Sequence, residues 1–120
     1  MKKILVADKD RGLRQLLRAV LEAARFEVAE AADGLEALEL IARQRPDLVI
    51  LELPLPRVGG QEICRLLKTG EKTRGLPVIL LSAQGQPVPL WRAESCLPKP
   101  LLQAELLKKV QELLGTETAN

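Results

Sequence analysis

Five short apolar runs punctuate this chain of 120 residues, and the segments between them carry apolar residues at helical spacing. Lys3-Ile4-Leu5-Val6-Ala7, Phe26-Glu27-Val28-Ala29-Glu30, Leu48-Val49-Ile50-Leu51-Glu52, Pro77-Val78-Ile79-Leu80-Leu81-Ser82 and the brief Cys96-Leu97 read as strands. The third and fourth are nearly continuous in apolar residues, as strands covered on both faces should be. Leu13, Leu16, Leu17, Val20, Leu21 and Ala24 predict a first helix with Asp10 as its N-cap. Asp33 can cap a second helix carrying Leu35, Leu38, Ile41 and Ala42, which Pro46 ends. Ile63, Leu66 and Leu67 mark a third, and Leu102, Leu106, Val110 and Leu113 the last. Alternating strands and helices of these lengths imply an α/β domain built on a parallel sheet wrapped on both faces.

The length fits one domain, expected over residues 1–115, with 116–120 as a C-terminal tail or the start of a linker. A net charge of +2 from 18 basic and 16 acidic residues is spread along the chain, which leaves nucleic-acid binding by this domain alone unsupported. No run approaches the roughly 18 apolar residues of a membrane span, and Met1-Lys2-Lys3 leads directly into a strand, so a cytoplasmic location is the expectation. The 2 cysteines, Cys64 and Cys96, lack metal-ligand spacing and read as reduced thiols.

In an open parallel sheet the functional crevice lies at the carboxyl ends of the strands. Asp8 ends the first strand, Glu52 the third and Ser82 the fourth, and Lys99 follows the fifth. Around them stand Ala31-Ala32-Asp33-Gly34-Leu35-Glu36-Ala37-Leu38, Leu55-Pro56-Arg57-Val58-Gly59-Gly60 and Leu97-Pro98-Lys99-Pro100. Through these motifs, together with Ile4-Leu5-Val6-Ala7-Asp8, Pro46-Asp47-Leu48-Val49-Ile50-Leu51-Glu52 and Pro77-Val78-Ile79-Leu80-Leu81-Ser82-Ala83, the chain resembles the receiver domain of two-component response regulators over almost its full length. The resemblance implies a flavodoxin-like (βα)5 doubly wound sheet of order 2-1-3-4-5. It also implies a site in which an acidic pair after the first strand and an acceptor aspartate after the third hold Mg²⁺, while a hydroxyl and a lysine bind the phosphoryl oxygens.

Carried over position by position, Asp8 matches the first acid, Ser82 the hydroxyl and Lys99 the lysine. Two positions depart: Lys9 stands where the second acid should be, and Glu52 where the acceptor aspartate should be. An ammonium group cannot coordinate Mg²⁺. Asp8 and Glu52 balance Lys9 and Lys99 in formal charge, so the pocket neutralises itself without a cation. At ~4 Å and an effective dielectric near 20, a pair such as Lys9 and Glu52 attracts by about 4 kcal/mol before desolvation is subtracted. An internal ion pair is expected where the metal would sit, with Mg²⁺ binding lost or weak and no other cofactor. The extra methylene of Glu52 displaces the nucleophile in a site where small misplacement is costly. Glu52 then serves either as an ion-pair partner or as an imitation of a phosphorylated aspartate reaching toward Ser82 and Lys99, with phosphate acceptance the weakest of the three readings.

Receivers relay phosphorylation through the hydroxyl after the fourth strand and an aromatic on the fifth, and here Cys96 takes the aromatic position. The Ala83–Pro98 segment is shorter than the family's by roughly one and a half helical turns, so the fourth helix is expected to be shortened or lost. Trp91, the only tryptophan, lies in that segment. It suits either an anchor for a partner or a plug over the sheet. Arg65, Lys68, Lys72 and Arg74 read as a solvated face, and Ala104–Leu114 as sheet packing, with one half of a homodimer contact as the alternative.

The preferred reading is a pseudo-receiver: not an enzyme, independent of phosphate and Mg²⁺, and docking to a histidine kinase, an output domain or another signalling protein. Its close rival is a phosphorylatable receiver. A remote rival is a haloacid-dehalogenase-like phosphatase with Asp8 as nucleophile and Asp10 as acid and base, against which the chain lacks a later acidic pair and a cap insertion. A flavin binder is weaker, because Asp8 to Leu13 is not a phosphate-cradling loop.

Overall fold

The computed structural model describes residues 1–83 and 92–115. Five strands, β1 (Lys3–Ala7), β2 (Glu27–Ala31), β3 (Leu48–Glu52), β4 (Val78–Ser82) and β5 (Ser95–Pro98), form one sheet of order β2-β1-β3-β4-β5. All four pairings are parallel. The described helices are α1 (Arg11–Ala23), α2 (Gly34–Gln44), α3 (Gly60–Thr69) and α4 (Gln103–Leu114). This is the expected α/β architecture and strand order. The second strand runs one residue later than the apolar pattern suggests, because Phe26 turns into the core ahead of the ladder and is fully buried. The expected loss of the fourth helix, and Trp91 itself, fall largely on residues 84–91, outside the described ones.

Side-chain alternation along the strands divides the core in two. Ile4, Val6, Leu48, Ile50, Ile79 and Leu81 face Leu17 and Leu21 of α1 and Leu106 and Val110 of α4. Leu5, Ala7, Val49, Leu51, Val78 and Leu80 face Ala37 and Ile41 of α2 and Ile63, Cys64 and Leu67 of α3. Ala104–Leu114 therefore packs its apolar stripe on the sheet. Burial on both faces explains why β3 and β4 read as unbroken apolar runs.

Helix starts follow the local chemistry. The Asp10 carboxylate accepts from the backbone N–H of Gly12 at 2.9 Å and of Leu13 at 3.3 Å, and Asp33 accepts from Glu36 N–H at 2.9 Å. Glu36 reaches back to the N–H of Ala32, the residue before the cap, at 2.8 Å, so the acidic pair ties down both the first turn of α2 and the chain entering it. At the start of α3 the requirement is steric. A Cβ on Gly60 would collide with the backbone carbonyl of Glu52, so this helix can begin directly against the end of β3 only with glycine there.

Lys68 corrects the reading of a uniformly solvated basic face. It is buried, and its ammonium donates to the Leu76 carbonyl at 2.8 Å and to both carboxylate oxygens of Glu94 at 2.9 Å. Glu94 also accepts from the N–H of Val78 at 2.7 Å, which ties α3 to the entrances of β4 and β5. Arg65, Lys72 and Arg74 remain exposed.

Gly60→Ala is expected to lower stability by about 2 kcal/mol by forcing the β3–α3 connection apart. Urea unfolding should show a reduced midpoint with an unchanged m-value. An unshifted midpoint would count against the close approach at Glu52.

Candidate functional site

The site lies where the strand order reverses, at the carboxyl ends of β1 and β3, the position that open parallel sheets offer to ligands. Asp8 follows β1 and is fully buried, and Glu52 ends β3 with its side chain 3% exposed. By alternation both carboxylates belong to the α1/α4 face, in line with Val6 and Ile50. Two buried carboxylates at neighbouring strand ends repel unless a cation stands between them.

Lys99 supplies it. Its ammonium stands 2.7 Å from Asp8 Oδ2 and 2.8 Å from Glu52 Oε2, reaching inward from the end of the edge strand β5. The backbone N–H of Lys99 donates to the Ser82 carbonyl at 2.8 Å, and the Lys99–Pro100 peptide is cis. Lys9 contributes twice: its N–H donates to Glu52 Oε1 at 3.0 Å, and its ammonium lies 3.4 Å from Glu52 Oε2. Asp8 Oδ1 accepts from the N–H of Asp10 at 2.8 Å. All four carboxylate oxygens are thus engaged by groups of the chain itself.

The titration behaviour follows from these contacts. Burial pushes the Glu52 carboxyl up, but the Lys99 hydrogen bond, the Lys9 N–H and the two ammonium charges together outweigh it and hold the group below its ordinary value of 4.5. Burial likewise works against the Lys99 ammonium, yet Asp8 and Glu52 raise it above its ordinary 10.5.

Ser82 and Cys96 sit apart from this network. Ser82 is in line with Val78 and Leu80, on the α2/α3 face, and Cys96 packs against that same core beside Leu80. The Ser82 hydroxyl lies beside the Cys96 thiol, whose pKa is pushed up by burial and only partly lowered again by that neighbouring hydroxyl. A Ser82 contact to Glu52, one of the sequence expectations, is not made among the described residues. Neither Cys64 nor Cys96 forms a disulfide among the described residues.

One set of supporting residues escaped sequence reasoning. Arg14 donates to the Asp8 carbonyl at 2.8 Å and pairs with Glu30 at 3.1 Å, while Arg18 pairs with Glu30 at 2.6 Å. These bonds fix the backbone that presents Asp8. The only available signal was an arginine one turn into the helix that Asp10 caps.

The donor set is a poor match for Mg²⁺. The second acidic position holds an ammonium, the two remaining carboxylates are bridged by Lys99, and no group of three metal-ligating side chains occurs among the described residues.

A family model described as the response regulator receiver domain matches residues 4–111. Among curated relatives, a response regulator MprA from Mycobacterium sp. (strain KMS) is 41% identical over 118 residues, covering 93% of this chain and 50% of that protein. The MprA of Mycobacterium leprae is 39% identical over 118 residues, with the same coverage of 93% and 50%. The chain thus spans about half the length of these relatives. Among solved structures, a response regulator from Chloroflexus aurantiacus superposes with a TM-score of 0.85 at 31% identity, covering 94% of this chain and 97% of that one. The receiver domain of a sensor histidine kinase from Pseudomonas aeruginosa, solved with a magnesium ion coordinated in its active-site cleft, gives 0.84 at 28% identity over 96% and 98%.

Lys99→Met is expected to cost about 3 kcal/mol, because it strands two buried carboxylates. Glu52, depressed in the folded state, contributes stability above pH 4.5 that is lost as pH falls through its folded value; Lys99, raised, contributes stability below pH 10.5 that is lost as pH rises through its own. Denaturation followed across pH should show both limbs in the wild type, with the Glu52 contribution to the acid limb reduced or reversed in Lys99→Met. An acid limb of unchanged size would refute the bridging role.

Proposed function

Because this chain belongs to the response regulator receiver family of two-component signalling, we propose that it is an atypical member, a pseudo-receiver that works by protein docking without phosphorylation or Mg²⁺. The observation that supports this most directly is the Lys99 ammonium bridging Asp8 and Glu52 at 2.7 and 2.8 Å. In that arrangement the acceptor-position carboxylate is already paired, and the charge that would draw a divalent cation is already cancelled. Phosphoryl transfer to Glu52 would require breaking its contacts to Lys99 and Lys9 with no metal to replace them.

The same geometry supports ion pairing over imitation of a phosphorylated aspartate. Imitation calls for Glu52 to draw in the hydroxyl at the end of β4, whereas Ser82 belongs to the other face of the sheet, beside Cys96. The domain is then held in one state, and its partner is a signalling protein such as a histidine kinase or an output domain. The chain acts as a binding module, and its place of action is the cytoplasm; no described helix is long and apolar enough to cross a membrane.

Incubation with acetyl phosphate and Mg²⁺, followed by intact mass measurement, should leave the wild-type chain unmodified. A stable gain of one phosphoryl group that disappears in Glu52→Gln would sink the reading. The double change Lys9→Asp with Glu52→Asp restores three carboxylates around one lysine, and is expected to bring back millimolar Mg²⁺ affinity in a titration that the wild type fails.

A further inference from the structure

At the amino end of the sheet, away from the carboxylate site, a groove of about 560 Å³ runs between the end of α2 and the turn that leads from α3 into β4. Leu38, Ile41, Ala42, Pro46 and Leu76 supply its apolar lining, and Arg45 and Lys72 stand at its rim. No carboxylate lines it, and neither cation makes an ion pair among the described residues.

Both walls are built. Arg45 caps α2 in the left-handed region at φ 46°, where glycine or asparagine is the usual choice, so a bulky cation is held at the helix end at some backbone cost. Opposite it, the turn is pinned from beneath, with the Thr73 hydroxyl donating to the Leu67 carbonyl at 2.7 Å and buried Lys68 to the Leu76 carbonyl at 2.8 Å. A preformed apolar groove with two unpaired cations complements a ligand that is apolar in the middle and anionic at its edges.

We propose that this groove docks an acidic, apolar segment of a partner protein, leucine-like side chains entering between Leu38 and Leu76 while carboxylates meet Arg45 and Lys72. The proposal rests on the reading of the chain as a docking module and gives that module a surface. A protein segment fits better than a small ligand because Arg45 and Lys72, both exposed, come from opposite walls of the groove, one at the end of α2 and the other in the turn before β4.

The probe is a blocked peptide of about twelve residues with leucines on one helical face and glutamates elsewhere. It is titrated into the ¹⁵N-labelled chain and read by amide shifts. Shifts centred on Leu38, Ile41, Ala42, Thr73 and Leu76 are expected. Binding should weaken at least tenfold for Arg45→Glu with Lys72→Glu, and be lost for Ala42→Glu, which places a charge on the exposed groove floor. These are surface changes, and retention of the remaining spectrum verifies the fold. Absence of shifts at millimolar peptide, shifts centred elsewhere, or equal binding of a peptide with lysines for glutamates would overturn the proposal. So would sodium decanoate matching the peptide at the same amides, which would assign the groove to a small amphiphile. The phosphoryl mass measurement is independent of these shifts, so either result can fail without the other.

Discussion

The bridge from Lys99 to Asp8 and Glu52 is the contact on which the rest of the site depends. It joins the two central strands to the edge of the sheet: Asp8 follows β1, Glu52 ends β3, and Lys99 follows β5. Two carboxylates with almost no exposure would otherwise repel in a region of low dielectric. A single ammonium placed between them offsets that repulsion. Its cost in desolvation is offset by a contact to each acid, and the remaining oxygens are covered by the backbone N–H groups of Lys9 and Asp10. A fixed ammonium on the chain thus does what a bound cation does in a site with more acids, but it cannot leave.

Strand alternation then decides which residues can join that bridge. Asp8 and Glu52 share the face covered by α1 and α4, whereas Ser82 and Cys96 share the one covered by α2 and α3. The β4–β5 register sets Leu80 opposite Cys96, so the thiol lies near the last outward position of β4, where the Ser82 hydroxyl is found. Glu52 has an extra methylene with which to reach, but its reach is taken up by Lys99. The hydroxyl and the acceptor-position carboxylate therefore sit in adjoining but separate hydrogen-bond groups.

Much of this was legible from residue order. Unbroken apolar runs identified β3 and β4 because both faces are buried, and Asp10 and Asp33 marked helix starts because their caps are local. The approach of Lys9 and Lys99 to Glu52 followed from strand-end positions and opposite charge. What stayed hidden depends on pairings distant in sequence. Lys68 looked like one member of an exposed basic row, and only Glu94, 26 residues further on, makes its burial tolerable. Arg14 could be placed on a helix but not directed at the Asp8 carbonyl. The placing of Cys96 beside Ser82 needed the register of an edge strand whose only sequence trace was Cys96-Leu97.

The two departures from the receiver pattern differ in kind. Glu52 changes geometry: it keeps a carboxylate at the end of β3 but extends it onto Lys99. Lys9 changes charge, and its own bond is the lesser part of that. Its side chain is 54% exposed and its ammonium stands 3.4 Å from Glu52, the setting in which an ion pair contributes only about 0–1 kcal/mol. Its weight lies in the carboxylate it displaces and the positive charge it adds, a swing of two charges beside a buried pair that Lys99 already satisfies. Shortening Glu52 alone would restore a nucleophile of ordinary length and still leave a pocket of zero net charge. Restoring an acid at position 9 alone would leave a glutamate held by Lys99.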